Sequence, residues 1–462
     1  MKSTTSTIFD LNGRVPLKDA LPLAMQHVVA MIVGCVTPAL ILARIANLSS
    51  QDSIILVQGA LLIASVATFL QLFPIKGVLG SGLPVILGVS FAYLPSMQAI
   101  AQGYDLATIF GSQLVGGLVA IAVGLHVKRL RKFFPPLITG TVVFTIGLSL
   151  YPTAINYMAG GVGNANYGSP QNWMLAFLTL TVVTILNHNA KGILKLASIL
   201  VGIIIGYLLA LVLGMVHFTA VTEAHLIQMP KILHFGIKFE VASCFSLGLL
   251  FAINAIQAIG DFTATTVGAM DREPTTKELR SGIVGYGLTN ILGAFSGGLP
   301  TATYSQNVGI VTTTKVINRY TLGIAACILL LAGLVPKFSA ILTTIPQRVL
   351  GGATISVFAS IAMTGMKLVV SEQMNYRNTS IVGLSAALGI GLAESSAALA
   401  TFPQWFQVIF GQSPVVIATV VAVGLNIMLP KRDCTVSCSW PEGDTDRSCR
   451  SYSWKCRSGQ DP

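Results

Sequence analysis

Charge is what this chain has least of. Asp, Glu, Lys and Arg make up 10% of its 462 residues, against about 25% in a soluble globular chain. Beside 53% hydrophobic residues, that scarcity excludes an ordinary soluble domain and leaves a polytopic membrane protein. Carboxylates and histidines clustered inside apolar runs are also missing. Metal-assisted chemistry needs such clusters, and hydrolysis needs a nucleophile beside a base. An enzyme is therefore not expected, nor a metal or cofactor. No Lys or Arg stands in the middle of an apolar run, which argues against a carrier built around an inorganic anion such as sulfate or bicarbonate. Cysteine supplies no zinc template: Cys434, Cys438, Cys449 and Cys456 crowd the C-terminal tail at spacings that fit none. Cys35, Cys244 and Cys327 fall in apolar runs and read as small packing residues. A cleavable signal peptide is not expected, because residues 1–19 are polar and the first apolar run, Leu21 to Ile45, is long enough to span. The net charge of +11 invites a nucleic-acid reading. The bases form no stripe, however; they sit in short loops between apolar runs, where they report topology.

What is present is a series of apolar runs. A span needs about 20 such residues, fewer where it is broken and buried. Candidates fall at 20–43, 53–72, 81–98, 106–126, 134–152, 172–188, 193–216, 242–264, 280–297, 299–313, 320–337, 349–366, 379–398 and 413–430. With the N-terminus cytoplasmic, only Arg44, Lys231, Lys238, Lys337 and Arg348 fall outside before the tail. That imbalance is what the positive-inside rule requires, and one span more or fewer would scramble it.

Two of these runs are short and rich in helix breakers. Gly80-Ser81-Gly82-Leu83-Pro84 opens one, and Gly297-Gly298-Leu299-Pro300 opens the other. Their Gly-Leu-Pro triplets stand 216 residues apart (298 − 82), an offset that pairs Ser90 with Gln306 and Phe91 with Asn307. An odd number of spans separates them, so the second copy is expected inverted. Paired interrupted segments in inverted halves point to a transporter's midplane site. The chain then divides into a cytoplasmic N-terminus (1–19), a first seven-segment repeat (20–216), an extracellular connection (217–241), a second seven-segment repeat (242–432) and an atypical polar tail (433–462). The tail reads as disordered and cytoplasmic, or as out-of-frame sequence.

Few polar groups lie within the runs. Asp261 is the one acid deep in a span, and an intramembrane carboxylate is kept for binding, for relaying protons or for holding an interior together. Gln257 stands one helical turn earlier on the same face. Its amide offers donor and acceptor together, suited to a planar ligand with N–H beside C=O. Gln306 and Asn307 lie mid-way along the second broken segment, where adjacent amides can bind a ligand or brace unwound backbone. His27 can relay protons, although a lone helix histidine more often bonds a neighbour across an interface. Glu394, His126 and His188 read as interfacial.

The segment Ser305-Gln306-Asn307-Val308-Gly309-Ile310-Val311-Thr312-Thr313-Thr314-Lys315 resembles the signature of the nucleobase–ascorbate transporter family. Gln26-His27, Gly88-x-Ser90-Phe91 and Gly260-Asp261-x-Thr263-Ala264 resemble further landmarks, in the family's order, from about Pro16 to Arg432. The resemblance implies an all-α fold of seven-plus-seven inverted segments, with short strands in the third and tenth. It implies a substrate-holding core (segments 1–4 and 8–11) and a gate (5–7 and 12–14) that forms a homodimer contact, in a bacterial inner membrane with both termini cytoplasmic. It implies purine or pyrimidine uptake, usually with a proton. Gln306, where uracil permeases tend to carry an acid, implies a xanthine- or urate-like purine, held between Gln257 and Gln306 with Asn307, Ser90 and Phe91 near the ring. Asp261 and His27 are then the candidates for proton coupling. Two positions depart from the pattern: the usual glutamate of the eighth segment is Gln257, and a frequent Asp or Asn of the ninth is Tyr286. The alternatives are a uracil or other nucleobase carrier with altered coupling, or an anion carrier of the same architecture.

Overall fold

The computed structural model describes residues 8–127, 135–216, 218–403, 406–407, 410, 413–429, 433–438 and 452–457. The first half begins with α1 (Leu17–Ile45) and α2 (Ser50–Leu72), then a three-residue strand β1 (Leu87–Val89). There follow α3 (Leu94–Gly103), α4 (Leu106–Leu125), α5 (Pro136–Ser149), α6 (Tyr151–Met158), α7 (Pro170–Asn189) and α8 (Ser198–Val212). The second half runs α9 (Val241–Met270), α10 (Thr276–Ser296), strand β2 (Thr301–Thr303), α11 (Ser305–Thr314), α12 (Arg319–Leu334), α13 (Pro336–Thr343), α14 (Gln347–Val370), α15 (Tyr376–Glu394) and α16 (Pro414–Met428).

Local chemistry sets several boundaries. The Ser49 side chain accepts from the Asp52 N–H at the start of α2, and Asp105 does the same for Thr108 in α4. Thr275 and Glu278 form a capping box on α10. That helix stops at Gly297, whose φ of 71° is left-handed. The breaker before β1 is pinned from α2: the Gln71 amide donates to Gly282 O (2.9 Å) and accepts from the Ser81 N–H (2.7 Å).

Six helical stretches are long and apolar enough to cross a membrane among the described residues: α1, α2, α4, α5 continued through α6, α9 and α14. The pair α12 and α13, bent by 80°, makes a seventh if read as one span. This is fewer than the sequence expectation. Helices α8 and α16 are short, α10 is more polar, and the two breaker-led segments are part strand and part short helix.

The helices gather into two bundles. One packs α1, α2, α4, α9, α10, α11 and α12 around the two strands; the other packs α5, α6, α7, α8, α14, α15 and α16. Both rely on backbone contact through glycine. A Cβ on Gly117 would lie 2.8 Å from Gly287 O, and one on Gly287 would lie 2.6 Å from Gly117 O, so α4 and α10 touch main chain to main chain. Gly140 and Gly365 repeat the device between α5 and α14, at 2.9 and 2.7 Å. Without a hydrophobic drive between helices in lipid, such close approach is what holds them together. In the tail, where disorder was expected, strands β3 (Asp433–Cys438) and β4 (Tyr452–Arg457) pair antiparallel. Residues 439–451, with Cys449 and Trp440, lie outside the described residues.

Candidate functional site

The two Gly-Leu-Pro segments meet. β1 and β2 pair antiparallel with Leu87 opposite Thr303, Gly88 opposite Ala302 and Val89 opposite Thr301. The ladder extends through Ser90 N–H to Pro300 O (3.1 Å) and Tyr304 N–H to Ile86 O (3.0 Å). A two-stranded ribbon leaves outer-edge groups unpaired, which hydrocarbon does not tolerate. Side chains cover them. The Thr68 hydroxyl donates to Leu87 O (3.0 Å) and accepts from Leu87 N–H (3.2 Å), and Asn290 Oδ1 accepts from Thr301 N–H (2.8 Å). Gly88 is required by packing: a Cβ there would lie 2.6 Å from Cys35 Sγ and 2.7 Å from Tyr304 Cε2.

A cavity of about 220 Å³ opens beside this ribbon, between the two bundles. The first bundle contributes Val29, Val33 and Gly34 from α1, Ser90 and Phe91 after β1, Gln257 from α9, and Thr303 through Gln306. The second contributes Val143 and Ile146 from α5, Ile199 from α8, and Val357, Ser360, Ile361 and Thr364 from α14. Most of the lining is apolar, and the Gln257 and Gln306 amides supply the polar exceptions with the most donor and acceptor capacity. Neither amide has a hydrogen-bond partner among the described residues. Gln306 sits in the first turn of α11, a helix whose start carries no side-chain cap. Its first-turn N–H groups lack intrahelical partners and carry partial positive charge. Ser90 accepts from the Ala92 N–H (3.2 Å), and Phe91 packs edge-on against Phe358 of α14, ring centres 5.3 Å apart, where the bundles meet.

The remaining expected residues stand one layer back. Asp261 is 8% exposed and does not line the cavity. Its Oδ2 accepts from the Thr303 hydroxyl and its Oδ1 from the Ser305 hydroxyl, the latter at 2.8 Å. It thus ties α9 to the end of β2 and the start of α11, on either side of Tyr304. Asn307 turns away from its neighbour Gln306, because successive residues of a helix point about 100° apart. Its Nδ2 contacts His27 Nδ1 (3.1 Å) and donates to His27 O (3.1 Å), joining α11 to α1. Both residues are 1% exposed. Tyr286 is also remote from the cavity. Its hydroxyl meets that of Tyr93 inside an aromatic cluster with Phe251.

Sequence reasoning did not single out Thr303, Ser305, Ser360 or Thr364. Ser305 adjoins the Gln-Asn pair and was visible as part of it. The α14 hydroxyls carry only a weak signal, a four-residue spacing on one helix face.

A family model described as "Permease family" matches residues 18–398. The uric acid permease PucJ of Bacillus subtilis (strain 168) is 34% identical over 420 residues, covering 89% of this chain and 92% of its own. The xanthine permease XanQ of Escherichia coli (strain K12) is 31% identical over 440 residues, covering 92% and 94%. Among solved structures, the transmembrane domain of a cyanobacterium bicarbonate transporter, BicA, aligns with a TM-score of 0.56 over 90% of this chain and 100% of its own, at 16% identity, a likeness of fold.

Proposed function

We propose, for a chain that belongs to the nucleobase–ascorbate transporter family of permeases, that it imports an oxidised purine base, xanthine or urate, by secondary transport. One observation carries the reading: Gln257 and Gln306 face an otherwise largely apolar cavity with unpartnered amides. An oxopurine edge presents N–H beside C=O, and each amide answers both groups at once. An unpaired polar group in such a site is costly, so a ligand lacking that edge is rejected more strongly than one carrying it is held. Phe91 offers an aromatic wall to the ring, Ser90 a hydroxyl, and the first turn of α11 its free N–H groups. In this reading Asn307 is a brace that holds α11 on α1 through His27.

The cycle we infer is rocking of one bundle against the other, with the purine at the shared cavity. The fold is then two inverted seven-segment repeats, with both termini in the cytoplasm of a bacterium and the second bundle forming a homodimer contact. Proton symport is the expected coupling. Gln257 cannot titrate, so Asp261 is the carboxylate left to carry it, with His27 as its relay partner across α11. The largely apolar lining, free of any Lys or Arg, speaks against the anion-carrier alternative.

The test is uptake of labelled xanthine and urate in cells lacking their own nucleobase permeases, with and without an uncoupler, and with hypoxanthine, guanine and uracil as competitors. Uncoupler-sensitive uptake blocked by oxopurines is expected, and Gln306→Ala should abolish it with the protein still in the membrane. Full transport by that variant would sink the binding assignment.

A further inference from the structure

A second cavity lies beyond the far end of α1. It measures about 620 Å³ and is walled by the end of α1, the start of α14 and the loop after α6. In the orientation proposed above it faces outward. Two arginines share it. Arg44, in the last turn of α1, donates from Nη2 to Thr343 O (3.0 Å). Arg348, in the first turn of α14, donates to Asn172 Oδ1. Asn172 is fully buried and is itself fixed, donating to Ala159 O (2.8 Å) and Asn166 O (2.7 Å). The Arg348 guanidinium is therefore held in place by a neutral amide.

Among the described residues neither arginine has a counter-charge. No carboxylate lines the cavity, and among the described residues neither takes part in an ion pair. Asp52, the acid nearest Arg44 along the chain, is engaged with the Ser49 hydroxyl (2.8 Å) and with His234 (2.7 Å). Two cations held in one concave, polar site raise the local concentration of anions there. The planar guanidinium fork favours a flat anion with two adjacent acceptors.

We propose that this cavity is a receiving site for a planar organic monoanion, an ionised oxopurine such as urate, on its way to the central cavity. Arg44 and Arg348 then set the apparent affinity for charged substrates and leave that for neutral ones alone. The inference rests on the transport reading above.

The experiment measures uptake kinetics for urate and for neutral hypoxanthine, at low and high ionic strength, in the wild type, Arg44→Gln, Arg348→Gln and Arg348→Lys. For urate, each Gln variant should raise KM about fivefold with the maximal rate unchanged, the size of one exposed charge acting at close range in water. High salt should shrink the difference, Arg348→Lys, which keeps the charge and loses the fork, should recover only part of the affinity, and the hypoxanthine KM should not move. Equal KM changes for both purines, a fall in maximal rate alone, or no change would overturn the proposal. The fall in rate would mean that Arg348 only supports the loop through Asn172. If the wild type carries neither purine, the transport reading fails, and the cavity is judged by equilibrium binding of urate to the purified protein. Binding weakened by salt and by both Gln variants supports the receiving site; binding indifferent to them refutes it.

Discussion

Replacing Asp261 by Asn keeps the shape of the side chain and removes one acceptor and the charge. In the native site two hydroxyls, from Thr303 and Ser305, donate to the two carboxylate oxygens. Bonds to a charged acceptor contribute about 1.5–3 kcal/mol each and neutral ones about 1 kcal/mol. An Asn oxygen can accept from one hydroxyl, while its NH2 forces the other to turn and accept instead. The net loss is about 2 kcal/mol, taken from the clamp that holds the end of β2 and the first turn of α11. Gln306 is the next residue, so the loss falls on the amide proposed to meet the purine. At 1.4 kcal/mol per factor of ten, kcat/KM for xanthine should drop about 30-fold. The assay is uptake per unit of membrane-inserted protein, beside counterflow exchange between equal substrate pools, which needs no proton gradient. A clamp predicts that counterflow falls as well as uptake, with uptake falling further where the proton is also lost, and that Ser305→Ala costs less in the Asp261→Asn background than alone. Counterflow at the wild-type rate with uptake lost would refute the clamp and leave the carboxylate the proposed coupling role alone. Wild-type behaviour in both would remove Asp261 from the site.

Two further outcomes follow from the same geometry. Gln257→Glu restores a titratable group to the cavity and should make uptake depend on pH or change the ranking of competitors; an unchanged pH profile and an unchanged inhibitor panel would show that Gln257 does not touch the purine. Gly88→Val places side-chain carbon where Cys35 Sγ and Tyr304 already stand, at 2.6 and 2.7 Å from the new Cβ, and should reduce both the amount of folded protein and its uptake; a variant that expresses and transports normally would mean that the ribbon is more yielding than drawn.

Much of the fold was legible because its signals are local. The run expected at 53–72 is the helix Ser50–Leu72, and the one at 106–126 is Leu106–Leu125. The breakers marked where helix gives way to strand. Pairing of β1 with β2 was not readable from the residues themselves, since three-residue strands have no periodicity and the partners are distant in sequence; the family resemblance implied a short strand in each segment, and the structure supplies the pairing. At the site, the Gln257 and Gln306 amides were legible as rare polar groups in apolar runs, and the structure brings both to one cavity. Asp261, Asn307 and His27 were equally rare, but their direction depends on neighbours that no local pattern reveals. Asp261 and Gln257 share a helix face, yet the carboxylate is taken by hydroxyls of a distant segment. Treating Gln306 and Asn307 as one adjacent pair hid their divergence around a helix. The Arg44 and Arg348 cavity was hidden for the same reason: the residues stand 304 positions apart (348 − 44), and each alone reads as a loop charge.

The ribbon also sets a schedule for biosynthesis. Leu87 and Thr303 are separated by 216 residues (303 − 87), which a ribosome adding about 5–20 residues per second takes roughly 10–40 s to deliver. Until then β1 waits in the bilayer with one edge unmatched. Thr68, already inserted in α2, occupies both the N–H and the carbonyl of Leu87 and can hold the half-built strand through that interval. The cavity lined by Gln257 and Gln306 cannot exist in a nascent chain of which only the first half has been made. A premature stop anywhere before residue 303 therefore leaves a membrane protein with no site at all, and quality control meets an exposed strand edge in place of a weak carrier.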